Sequence, residues 1–183
     1  MLAQEFAYRQ RLRVKRLVLA ATSPGMPMIP GNLSSLFRMA LPHRYSASGG
    51  IETFLQGLYG GSTQGLDNYA SRIRAPTPQG YLHQVLAIVG WTSVRKLARV
   101  TAETLILMGD DDRLVPPANG QILKFLLRNA RLEVLRDAGH LFLLTHRDQA
   151  AEHIERFLGG ATAPEIASAL SNSADLSPAA STA

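Results

Sequence analysis

The sequence predicts an α/β fold with parallel strands, and three observations carry that prediction. Two short apolar runs, Thr104 to Met108 and Leu132 to Leu135, read as buried parallel strands, since a strand covered on both faces has little need to alternate. Each is followed by a helical pattern, Pro117 to Leu127 and Asp148 to Leu158, so this part of the chain reads as a βαβα series. A third run, Val14 to Ala21, stops at the turn signal Thr22-Ser23-Pro24-Gly25 and adds one more strand.

Taken in order, the elements divide the chain into four expected parts. Residues 1–22 hold a helix, with Leu2, Ala3, Phe6 and Ala7 on one core-facing stripe, and then the first strand. Residues 23–99 change character: Pro, Gly and Met punctuate four helical patterns, Leu33 to Ala40, Ile51 to Leu58, Leu66 to Arg74 and Gly80 to Val89. This stretch reads as an inserted helical segment. Residues 100–160 carry the βαβα series, in which Pro117 suits a first helical turn because its missing N–H would have no partner there. Beyond Gly159-Gly160, residues 161–183 are mostly Ala, Ser, Thr and Pro and read as a disordered tail.

Composition bounds the function classes. A chain of 183 residues, 46% hydrophobic and 18% charged, is an ordinary globular balance. There is no cysteine, which excludes a Cys nucleophile and a thiolate metal site and fits a reducing compartment. The net charge of +5 owes much to Arg9, Arg11, Arg13, Lys15 and Arg16, a basic run without interleaved aromatics that reads as a solvated helix-to-strand connection, not a nucleic-acid surface. No segment approaches the roughly 20 apolar residues of a membrane span, and no apolar signal region opens the chain, so a cytoplasmic location is expected.

The chemistry lies in two loops. Gly109-Asp110-Asp111-Asp112-Arg113-Leu114-Val115-Pro116 follows one expected strand, and Asp137-Ala138-Gly139-His140 follows the next. Both loops therefore fall at the carboxyl-end edge of a parallel sheet, where open α/β sheets bind ligands. A carboxylate and then, 28 residues on, an imidazole is the acid-then-base order of an α/β-hydrolase triad. In such a triad the carboxylate holds the imidazole in one tautomer, and the imidazole takes a proton from a serine hydroxyl and returns it to the leaving group. The spacing after Gly109 selects Asp112 as acid and His140 as base, with Asp110 and Asp111 as the other candidates for the acid.

Three adjacent carboxylates also occur as a solvated turn, or as ligands of a hard cation. Their consecutive spacing does not match the alternating ligands of a calcium loop, and no metal or other cofactor is expected. His43, His83, His146 and His153 read as surface or structural histidines. The triad's serine should sit in Gly-x-Ser-x-Gly at a strand-to-helix turn, and that pattern does not occur in the chain. The nearest approach, Gly60-Gly61-Ser62-Thr63-Gln64-Gly65, has its last Gly one position late and follows a helical pattern.

The segments Leu2-Ala3-Gln4-Glu5-Phe6-Ala7, Arg16-Leu17-Val18-Leu19-Ala20-Ala21-Thr22-Ser23, Met28-Ile29-Pro30-Gly31, Leu58-Tyr59-Gly60-Gly61, Gly90-Trp91-Thr92-Ser93 and Asp137-Ala138-Gly139-His140-Leu141-Phe142-Leu143, with the Asp loop, resemble the intracellular medium-chain-length poly(3-hydroxyalkanoate) depolymerases. The similarity runs from about Leu2 to Leu158. It implies the C-terminal part of an α/β-hydrolase fold, three parallel strands with helices and an inserted helical lid. It also implies that the first helix leaves a nucleophile turn, so the serine, the oxyanion-hole loop and the first strands are expected to lie before Met1. The activity implied is ester hydrolysis of a polyester of 3-hydroxy acids, at the surface of storage granules in the cytoplasm. Met26, Met28, Phe37 and Trp91 are lid candidates for contact with a hydrophobic ester substrate, since thioethers adapt to a flexible alkyl chain; each also suits the core of a helical cap. The isolated chain is expected to expose a sheet edge at Val14 to Ala21 and to associate through it.

Overall fold

The computed structural model describes residues 1–35, 56–62, 77–88 and 90–159. Its elements are α1 (Leu2–Arg9), β1 (Arg16–Ala20), α2 (Pro78–Ile88), α3 (Val94–Leu97), β2 (Glu103–Gly109), α4 (Ala118–Leu126), β3 (Ala130–Leu135), α5 (Phe142–Thr145) and α6 (Arg147–Leu158). The expected helical patterns Leu33 to Ala40 and Leu66 to Arg74, and the tail after Gly159, lie largely or wholly outside the described residues.

Among the described residues the strands pair in parallel, in the order β1-β2-β3, with Leu19 opposite Ile106 and Ile106 opposite Leu132. The central strand β2 explains why its sequence is apolar throughout. Leu105 and Leu107 point to one face and join Leu135, Phe142, Ala150 and Phe157; Ile106 and Met108 point to the other and join Ala7, Leu17, Leu19, Leu97 and Leu123. Side chains alternate along a strand, so two buried faces require apolar residues at every position. Each of those four β2 side chains is at most 1% exposed, and each such burial contributes roughly 1.5–3 kcal/mol relative to exposure.

Two expectations are corrected by the packing. In α1 the buried positions are Gln4 and Ala7, whereas Leu2 is 87% exposed and Phe6 58% exposed. Of the expected stripe only Ala7 reaches the core, because the other inward place is taken by the Gln4 amide, which has hydrogen-bond partners on both sides. In β3 only Leu135 is buried and Val134 is 43% exposed, since β3 is an outer strand of the described sheet and not a fully covered one. The basic connection of residues 11–16 has exposed side chains apart from half-buried Val14, and Arg16 donates to the carbonyl of Leu158, capping the end of α6.

The functional consequence of the parallel order lies at the carboxyl ends. Beyond β1 the Ala21 N–H still donates to the Leu107 carbonyl at 3.0 Å, and beyond β2 the Asp110 N–H donates to Leu135 at 3.0 Å. The sheet ladder thus carries the backbone of each following loop out along one shared edge.

Candidate active site

At that edge Asp112 and His140 meet. Asp112 Oδ2 lies 2.8 Å from His140 Nδ1, with the aspartate side chain fully buried and the imidazole 25% exposed. The other carboxylate oxygen, Oδ1, accepts the N–H groups of Leu114 at 2.9 Å and Val115 at 2.8 Å. A buried carboxylate with both oxygens bonded cannot swing, so the imidazole is presented with one ring nitrogen already engaged. That leaves Nε2 as the nitrogen able to exchange a proton with an outside group.

The other two carboxylates of the triplet go elsewhere. Asp110 Oδ1 accepts the Ala138 N–H at 3.2 Å, tying the two loops together, and Asp111 Oδ2 accepts the Gly61 N–H at 2.7 Å. The three adjacent aspartates therefore have three separate tasks. Among the described residues no group of three or more His, Asp or Glu is arranged to hold a metal ion.

Residues 59–61 close the site from the side of the segment that follows β1. The His140 N–H donates to the Tyr59 carbonyl at 2.9 Å, and the Tyr59 ring stacks on the imidazole with centroids 5.9 Å apart and planes 11° from parallel. Gly60, Gly61 and Gly139 permit this approach: a Cβ on Gly60 would strike the Asp111 carbonyl, one on Gly61 the Gly139 backbone, and one on Gly139 the Gly60 carbonyl. Ser62, the nearest approach to a nucleophile motif, follows these glycines in a loop and is exposed.

A second structure stands beside β1. Ser93 and Gln4 are buried; the Ser93 hydroxyl lies 2.6 Å from Gln4 Oε1 and 2.9 Å from the Pro24 carbonyl, while Gln4 Nε2 donates to the Ser23 carbonyl at 3.0 Å. Gly25 pairs with Thr92 in an antiparallel bridge, and the Met26 N–H donates to the Trp91 carbonyl at 2.9 Å. This seam explains why Ala-Ala-Thr-Ser and Gly-Trp-Thr-Ser, far apart in the chain, go together. It also forms a wall of an apolar cavity of about 320 Å³, lined by Met26, Met28 and Trp91 with Thr22, Ser23 and Ile88 among others. Phe37, the remaining lid candidate, lies outside the described residues.

Several positioning residues were not singled out from the sequence. Asn119, fully buried, exchanges two 2.9 Å hydrogen bonds with the backbone of Ile29 and donates to Pro116, fixing the Met-Ile-Pro-Gly segment against the start of α4. An Asn two residues after Pro117, at the start of a helix, was the available signal. Gln4 gave one too, as an uncharged polar residue between Ala3 and Ala7 in the first turns of a helix.

Residues 1–153 match the alpha/beta hydrolase family, and with this fold the chain belongs to that family. Within it the chain is 39% identical over 161 residues to a poly(3-hydroxyalkanoate) depolymerase from Ectopseudomonas oleovorans, a match covering 86% of this chain and 56% of that protein. The chain thus spans little more than half the length of this curated relative. Among solved structures, a serine hydrolase from the polyaromatic-hydrocarbon-degrading bacterium Cycloclasticus zankles superposes with a TM-score of 0.65 at 16% identity, over 86% of this chain and 59% of that one. A thermophilic esterase from Thermogutta terrifontis gives 0.60 at 20% identity, over 86% and 60%. At those identities the structures speak for the fold alone. No described helix is long and apolar enough to cross a membrane.

Proposed function

We propose that this chain carries the acid and base of a serine ester hydrolase that cleaves medium-chain poly(3-hydroxyalkanoates), with Asp112 as acid and His140 as base. The observation that carries the reading is the buried Asp112 bonded to His140 Nδ1 beside a parallel strand edge, in a chain 39% identical to a depolymerase. In the reaction a serine hydroxyl attacks the ester carbonyl while His140 Nε2 takes its proton; the proton passes to the departing 3-hydroxyl group, and water then releases the acyl group by the same route. Asp112 holds the ring in the tautomer that leaves Nε2 able to accept and stabilises the imidazolium.

The serine is proposed to come from a Gly-x-Ser-x-Gly turn encoded directly ahead of Met1, with the oxyanion-hole donors in the same upstream part. In this scheme residues 1–22 and 100–160 belong to the hydrolase core, 23–99 form a lid, and 161–183 are a tail. Met26, Met28, Phe37 and Trp91 face the alkyl portion of the ester, and the 320 Å³ cavity, walled by three of them, supports that assignment. The enzyme would act in the cytoplasm at granule surfaces.

A second reading is a catalytically inactive remnant or a granule-associated interaction protein, since the 183 residues hold the acid and base loops without a Gly-x-Ser-x-Gly turn of their own. One experiment separates the two. The upstream reading frame is sequenced and, where it encodes the turn, the extended protein is assayed on medium-chain polyester and labelled with a fluorophosphonate. Polyester hydrolysis and labelling of the upstream serine support the depolymerase. A stop codon in place of the turn leaves the remnant, and cleavage of short activated esters with the polyester left intact points to another esterase of the same fold.

A further inference from the structure

We propose that Tyr59 is a positioning residue for the base: its ring is the platform against which the His140 imidazole lies, and Asp111 anchors the turn that holds it. The proposal rests on the reading of His140 as base and adds to it a residue from the segment between β1 and β2. One hydrogen bond to Asp112 fixes the position of Nδ1 but leaves the ring free to tilt about that bond, so the direction of Nε2 is not yet set. A flat surface on one ring face removes that freedom. Tyr59 supplies it, with centroids 5.9 Å apart and an interplanar angle of 11°, within the range of offset stacking.

Tyr59 could not serve if its own backbone drifted, and two further bonds prevent that. Its carbonyl accepts the His140 N–H at 2.9 Å, so platform and base share one main-chain contact. Two residues on, the Gly61 N–H donates to the Asp111 carboxylate at 2.7 Å, a charge-assisted bond. Asp111 is adjacent to Asp112, so the acid loop holds the imidazole with one carboxylate and the platform with the next. This assigns a task to the middle aspartate, which the chemistry of the pair leaves unused.

The test uses the 183-residue chain itself, labelled with ¹⁵N and observed by NMR at the low-field Nδ1 proton of His140. That proton is expected to be visible and slow to exchange with water in the parent chain and lost in Asp112→Asn. Tyr59→Leu is expected to speed its exchange about 2- to 10-fold, the range given by the usual strength of a ring pair, while the amides of β2 keep their protection. Tyr59→Phe, which keeps the ring, restores the parent rate. Asp111→Asn, a change at a half-exposed side chain that serves if Tyr59→Leu does not fold, shifts the rate in the same direction by less. Parent-like exchange in Tyr59→Leu, or in Asp111→Asn where Leu cannot be measured, overturns the proposal, as does a Tyr59→Phe chain as fast as the Leu variant. A proton unaffected by Asp112→Asn instead removes the acid–base pair, which distinguishes that failure from this one.

Discussion

Two polar clusters sit at the same sheet edge and are built on opposite plans. Beside β1, Gln4 and Ser93 are neutral, buried and bonded to each other and to backbone carbonyls; beside β2 and β3, Asp112 is equally buried, but its partner His140 keeps a quarter of its side chain exposed. A saturated neutral network fixes main chain and holds nothing that could exchange a proton. A buried carboxylate paired with a partly exposed imidazole is positioned on one side and available on the other. The difference teaches that burial alone does not mark a functional site; the mark is burial on one side of an ionisable pair.

Substitutions in the two clusters should therefore fail differently. In the proposed serine-bearing protein, His140→Ala is expected to lower polyester turnover by about 10⁶-fold, and a near-native melting temperature alongside would place the loss in chemistry. Asp112→Asn should cost about 10⁴-fold in turnover, through the wrong tautomer; a loss under tenfold would remove Asp112 from the acid's role. In the other cluster Ser93→Ala leaves Gln4 without one partner and should destabilise by about 1–3 kcal/mol in denaturant unfolding, with turnover per folded molecule unchanged. A Ser93→Ala protein that folds well and hydrolyses poorly would erase the contrast.

The smallest expected effect is electrostatic. Lys96 and, next, Arg9 bond to the Glu5 carboxylate at 2.6 and 2.7 Å and hold its pKa below the ordinary 4.5. A lowered folded-state pKa stabilises above the unfolded value and is lost as pH falls through the folded one. Melting temperature should thus drop below about pH 4.5 by slightly more in the native chain than in Glu5→Gln, and equal acid slopes would show that these solvent-accessible ion pairs contribute nothing.

The sequence revealed the two loops for a physical reason: a buried strand cannot hide its apolar run, and Thr104 to Met108 lies within Glu103–Gly109. The order of acid and base then follows from chain order alone. What stayed illegible was tertiary. Nothing local distinguishes Asp111, which bonds Gly61, from Asp110, which bonds Ala138, because their partners are 50 and 28 residues away. Leu2 and Phe6 misled for the same reason: a helical stripe shows which residues share a face, but the buried face was decided by Ser93, 89 residues from Gln4.

The contact among Gly60, Gly61 and Gly139 is main chain against main chain. A joint of that kind has no side chain to trim and no volume to redistribute, so it cannot be adjusted by degrees. In a saturation library these three positions should read as blank columns, whereas Arg113 and Leu141 beside them accept many residues. The fitness map of the site would then be sharpest where the sequence has the least chemistry.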